Sequence, residues 1–280
     1  MTDSWWLKVK RAQKHMVDIK REARNYASRH PYKLIRIRYP DGERKVGYRM
    51  RITEQPDPMI AVMFGDFVHN LRSALDHIFV ASVPRNRRYD ASFPIIAFED
   101  IWAKDTDGKF VVNDPKGRED FENAVRGLAP NARALVIRAQ PYRMRDGAET
   151  SILGAISRLE NADKHRQLIV VGGGVLKPIG VVSIRGETVP LNLQMLPNNA
   201  FAKDDTIIGW EWPDRRFPDG TVIKQSDVDM QFTGITEILV KVTRRGGNKP
   251  PYDFRLKQTM LDALRDVRRV LRLMEPFVIR

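Results

Sequence analysis

The chain has 280 residues, 42% hydrophobic and 30% charged, with no cysteine and with 48 Lys and Arg against 35 Asp and Glu, a net charge of +13. This length and apolar content suit one large domain or two modest ones and exclude wholesale disorder. The lack of cysteine excludes disulfides, zinc ribbons, iron–sulfur clusters and thiol catalysis. No run of 18 apolar residues occurs, so no membrane span is expected. The opening MTDSWWLKVK lacks the apolar core of a signal sequence, which predicts a cytoplasmic protein. The positive surplus points to a polyanion, with RNA first and an anionic membrane surface second. Arg outnumbers Lys by 32 to 16, which suits bidentate phosphate binding and equally suits a genome rich in G and C.

Taken in order, Ser4 to about Ser28 predicts a helix, with Ser4 able to cap it and Trp5, Trp6, Val9 and Met16 as apolar contacts. The period then shortens to two. Ile35, Ile37 and Tyr39 alternate with Arg36 and Arg38, and Val46, Tyr48, Met50 and Ile52 alternate with Lys45, Arg49 and Arg51. With Pro40-Asp41-Gly42 between them, these runs predict a hairpin over 33–52. If it pairs in register, Arg36, Arg38, Lys45, Arg49 and Arg51 share one face, either a phosphate-binding stripe or an ordinary solvated surface.

Pro56 to Val83 predicts a long helix, with Pro58 tolerated in its first turn. Phe67, Leu71, Ala74, Leu75 and Ile78 project to one side, and Asp66, His69, Asn70, Ser73 and His77 to the other. Residues 103–117 read as an irregular connector. Helices are expected near 118–128, 131–139 and 150–169, with a loop holding Arg143 and Arg145 before the last of these. Strands are expected at 179–185, 188–195, 206–212, 221–224, 228–233 and 236–243, after the change marked by Gly172-Gly173-Gly174. Phe217-Pro218-Asp219-Gly220 reads as a turn. A final amphipathic helix covers about Leu256 to Met274. The expected fold is α+β: a discontinuous four-helix bundle with an N-terminal β-hairpin and an inserted antiparallel β-rich region. Residues 1–170 would hold the bundle and hairpin, 171–245 the β-rich region, and 246–280 the helix returning to the bundle.

The candidate chemistry lies on two helical phrases. His69 and His77 are eight residues apart, about 12 Å along a helix. That is too far to share one ion, so neither metal nor cofactor is expected. Metal-free cleavage of RNA needs a histidine near its free pKa and a cation for the developing charge. Arg72 and His77 supply both on one helix, with Asn70 and Ser73 as neighbours. The same spacing class occurs at Arg24–His30 and Arg158–His165; the helical setting and polar neighbours single out the middle pair. This Arg72–His77 pair resembles the R-x4–6-H motif of HEPN-type ribonucleases, helical bundles that often dimerise. The resemblance implies His77 as acid or base, Arg72 as phosphate anchor and a homodimer. The phrases GDFVHNLRSALDH (65–77) and NADKHR (161–166) together resemble a family from actinobacteria and their phages that has no assigned activity. That resemblance implies only that the phrases meet in space. His69, Asn70, Asn161 and His165 would then complete one polar cluster with Arg72 and His77. The cluster is either catalytic or a hydrogen-bonding network that fixes helix packing. No GxSxG elbow or paired-carboxylate pattern is present.

Overall fold

The computed structural model describes residues 3–38, 45–96, 102–104, 110–112, 114–141, 151–165, 169–184, 187–190, 201–202, 207–211, 220–222, 224, 228–242 and 252–279. The chain is α+β and divides into two compact units. One is Met1–Lys20, Met59–Ile169 and Lys241–Arg280; the other is Arg21–Pro58 and Val170–Val240.

Helix α1 (Ser4–Ser28) matches its expected range at both ends. Trp5, Val9, Ala12, Ile19 and Tyr26 are buried at spacings of three, four and seven, the stripe of a helix with one packed side. It stops at His30, which takes a left-handed φ of 50°, followed by Pro31, which cannot continue a helix. Helix α2 (Met59–Ser82) starts directly after Pro58, three residues later than expected. Its buried residues, among them Phe64, Gly65, Phe67, Leu71, Leu75, Ile78 and Phe79, cover about half of its circumference. The shorter α3 (Pro115–Val125) and α4 (Pro130–Ala139) both open on proline, whose missing N–H has no intrahelical acceptor there anyway. Next come α5 (Ile152–His165) and α6 (Leu256–Met274), the latter spanning its expected range.

Within the first unit, α2, α5 and α6 pack against one another in pairs, and α4 packs on α6. Phe79 meets Phe93 edge-on with ring centroids 5.9 Å apart, and Phe64 stacks near Phe67 at 6.1 Å. The Trp6 indole donates to Glu275 Oε1, and the Ile279 N–H donates to the Ala81 carbonyl, so the chain's last turn is tied to α1 and α2.

The strands are β1 (Tyr32–Ile37), β2 (Lys45–Ile52), β3 (Trp102–Lys104), β4 (Phe110–Val112), β5 (Ile169–Ile184), β6 (Glu187–Pro190), β7 (Phe201–Ala202), β8 (Ile207–Glu211), β9 (Val228–Val242) and β10 (Tyr252–Arg255). In the second unit β1, β2 and β8 form one antiparallel sheet, while β9, β5 and β6 lie side by side with β7 on β5. The hairpin therefore groups with the β-rich residues rather than with the helices, because β2 hydrogen-bonds to β8 from a distant part of the sequence.

Other details depart from expectation. β3 and β4 form a small hairpin inside the stretch read as irregular. β5 runs straight through Gly172–Gly174, and β9 is continuous where two strands were expected around Gly234. Among the described residues of 221–224, Val222 makes an isolated bridge. The turns at Tyr39–Gly42 and Phe217–Asp219, residues 191–195, the Arg143/Arg145 loop and Arg166 lie outside the described residues. Among the described residues no helix is long and apolar enough to cross a membrane.

Candidate functional site

The two helical phrases meet. Gly65 on α2 lies so close to Asp163 on α5 that an added Cβ would collide with the Asp163 carboxylate. One turn away, Glu160 is buried to 7% exposure. Its carboxylate faces two residues of α2, His69 Nδ1 at 3.5 Å and Arg72 Nε at 3.7 Å.

Arg72 is the centre of this cluster. Its Nε donates to Asp76 Oδ2 at 3.3 Å, its terminal nitrogen lies 3.2 Å from Asp76 Oδ1, and the same nitrogen donates to the Phe93 carbonyl at 2.7 Å. Asp76 Oδ1 in turn accepts the Phe93 N–H at 2.9 Å. The Arg72–Asp76 pair thus grips both polar groups of one peptide residue, as a neighbouring strand would. Gln140, fully buried at the end of α4, repeats the device: it accepts from the Ile96 N–H at 3.0 Å and donates to the Pro94 carbonyl at 2.9 Å. Residues 92–96 have no strand beside them among the described residues, and these two clamps satisfy four of their backbone groups, the N–H of Phe93 and Ile96 and the carbonyls of Phe93 and Pro94.

The clamped segment walls a pocket of about 570 Å³. Arg72 and Asp76 of α2 line it, with Ser92–Ile96, Asp114, Gly117, Asp120, Phe121 and Ala124 at α3, and Ser157, Glu160 and Asn161 of α5.

The expected site residues divide. Arg72 and His69 converge through Glu160, and Asn161 lies in the pocket wall. Asn70 turns back on its own helix, donating to the Asp66 carbonyl at 2.7 Å. His77 sits on another flank of α2: five residues of helix separate it from Arg72 by about 140°. Burial chiefly, and the charge of Lys8 next, hold the His77 pKa below the ordinary histidine value, with Asp76 acting in the other direction. His165 ends α5, and its side chain lies outside those described. Asp163 shows the opposite pressure. Partial burial, Asp66 and Glu160 push its carboxyl above the ordinary range, against the pull of His69. Among the described residues no three His, Asp or Glu side chains are grouped to hold a metal ion.

The polar phrases do not single out Glu160, although a signal for it exists. It falls three and seven residues from Ser157 and Leu153 and four from Ile156, in the apolar register of α5. A carboxylate in such a register needs a buried partner.

The cationic ribbon face is corrected by the register. Ile35 pairs with Arg49 and Lys33 with Arg51, whereas Arg36 pairs with Tyr48. Directly paired residues point to the same side of a sheet, so Arg49 and Arg51 share one side with Lys33 and Ile35, and Arg36 lies on the other with Met50. Lys45 keeps the parity of Arg49 and pairs with Glu211; its side chain is outside those described. Arg38 lies just beyond β1 and is exposed. The five cations therefore do not form one stripe, because the alternation of each strand leaves the relative phase of the two undetermined.

A different cationic row runs along α1. Lys10, Arg11, Lys14, Arg21 and Arg24 are all exposed. Projected at 100° per residue they fall within about 140°, opposite the buried stripe. Arg21 pairs with Glu22 at 3.1 Å. The i, i+4, i+11, i+14 spacing from Lys10 makes the row legible in the sequence once the buried side is known. No family model, curated protein or solved structure matches the chain.

Proposed function

We propose that this protein binds a polyanion, RNA in the first place, and that the Arg72 cluster is structural. The observation that carries the first part is the exposed cationic row on α1, which spans about 21 Å from Lys10 to Arg24 by helical rise. That length matches several successive phosphates, and the net charge of +13 adds long-range attraction. The second part rests on the partners of Arg72. Asp76 and the Phe93 carbonyl accept its hydrogen bonds and the Glu160 carboxylate stands 3.7 Å away, which leaves little of its charge for a substrate phosphate. Burial of Trp5, Val9, Ala12 and Ile19 supports reading α1 as the fourth helix of a bundle with α2, α5 and α6, interrupted in sequence by the residues of the second unit.

Metal-independent cleavage of RNA is the second reading. The observation favouring it is His77, whose lowered pKa keeps the imidazole neutral and able to accept a proton near pH 7. The cation beside it is then Lys8 rather than Arg72. By analogy with HEPN-type ribonucleases, that reading would pair two copies.

One experiment addresses both. Binding of a labelled single-stranded RNA is followed against salt, for the wild type and for a variant with Lys10, Arg11, Lys14 and Arg24 all changed to Gln. The slope of log affinity against log salt should shrink by about 0.7 for each phosphate that the variant no longer neutralises. An unchanged slope sinks the proposed interface. Incubation of the same RNA in EDTA, with His77→Ala as control, decides cleavage. Loss of cleavage at unchanged melting temperature favours the ribonuclease; an intact RNA with wild-type protein removes it.

A further inference from the structure

The pocket in the first unit has a chemistry opposite to that of the whole chain. In a protein of net charge +13, the described residues that line it include four carboxylates, Asp76, Asp114, Asp120 and Glu160, against the guanidinium of Arg72. Asp76 and Glu160 already balance Arg72. Asp114 and Asp120 remain as a second, exposed pair of negative groups at the α3 side of the opening.

Asp114 has an unusual assignment. It stands at the N-cap of α3, where an aspartate ordinarily accepts a backbone N–H of the first turn. Its side chain makes no such bond, although it lines the pocket. The remaining wall is mixed: Ser92, Ser157 and Asn161 are polar, and half-buried Pro94, Ile95 and Ile96 form an accessible apolar strip backed by buried Phe93 and Phe121. About 570 Å³ lies inside the range of small-molecule sites, which combine an apolar wall with a few convergent polar groups. The clamps of Arg72–Asp76 and Gln140 fix residues 92–96, so this wall is preformed rather than assembled on binding.

From the cavity, its apolar strip and its excess of carboxylates we infer a binding site for a small organic cation, an amine or amidine carried on an apolar body. The cationic head would meet Asp114 and Asp120, and the body would lie against Pro94, Ile95 and Ile96. An anion of the same shape is disfavoured by the same charges. The inference is independent of RNA binding, which uses another surface.

The test uses the full chain and two probes, phenethylamine and benzamidine, with 2-phenylethanol as the neutral counterpart of the amine. Binding is read by ligand-detected NMR and calorimetry. At least one cation should bind at millimolar concentration or below, and phenethylamine should exceed the alcohol by at least about tenfold, a single charge-assisted contact being worth that much. Asp114→Asn with Asp120→Asn should weaken the cation by a similar factor. Both side chains are exposed; should the double variant melt early, Asp120→Asn alone is used. Equal binding of amine and alcohol, an affinity unmoved by these substitutions, or no binding of either cation overturns the site.

Discussion

Arg72 and Asp163 show how two ionisable residues of one helix interface act in opposite senses. The Arg72 side chain is only 16% exposed and Glu160 only 9%, so removing the guanidinium takes the cation away from two carboxylates, Asp76 and buried Glu160, and the donor away from the Phe93 carbonyl. Arg72→Ala should destabilise the protein by about 3 kcal/mol, the usual scale for breaking a buried pair. Arg72→Lys should recover little, since one ammonium cannot reproduce the fork. Chemical denaturation checks this; a variant as stable as wild type would contradict the clamp. Asp163 is strained instead. Its folded pKa lies above the ordinary 3.8, so folding favours its protonated form. Its contribution is therefore most favourable below that ordinary value and is lost as pH rises through the folded pKa. Asp163→Asn should raise the melting temperature at pH 7. The gain should disappear by about pH 3, where the carboxyl is protonated in both states. Melts at the two pH values test the sign.

At the scale of elements, close approach decides where glycine is needed. β5 passes Tyr26 of α1 at Gly172, where a Cβ would strike the phenol oxygen. Tyr26 is 1% exposed, its hydroxyl donates to the Glu54 carbonyl at 2.9 Å, and burial is the main cause that pushes its pKa up to about 12. The Gly172 N–H meanwhile donates to Gln55 Oε1 at 3.2 Å. Gly172→Ala should cost about 1–3 kcal/mol by overpacking. Adding Tyr26→Phe should return part of that loss, because the hydroxyl is the first atom struck; the double-mutant cycle measures the coupling. Equal penalties in both backgrounds would show that the contact is not the cause. The glycine run is visible in the sequence as a break in the helical pattern. That one of its members makes room for a tyrosine 146 positions earlier is not visible, because the need arises only when the two elements are brought together.

Across the whole molecule, local rules carry far. The bounds of α1 and α6 follow from amphipathic period, a terminating proline and the spacing of Leu, Val and Met. The contact of Gly65 on α2 with Asp163 on α5 follows from no local rule; only the resemblance carried by the two phrases implies that they meet. Arg72 and His77 stand on different flanks of α2. The 140° between them is available from helix geometry alone, but which flank faces α5 is not.

The sequence by itself determined which segments are helical, where their apolar sides lie and how positive the chain is, since each depends on neighbours within a few residues or on composition. Tertiary structure alone decided that Arg49 and Arg51 lie across the sheet from Arg36, that the hairpin joins β8, and that Glu160 of α5 stands beside Arg72. Strand phase, sheet membership and ion pairing are set by contacts between residues far apart in the chain. Those contacts are chosen by the joint burial of many side chains, which no local period encodes.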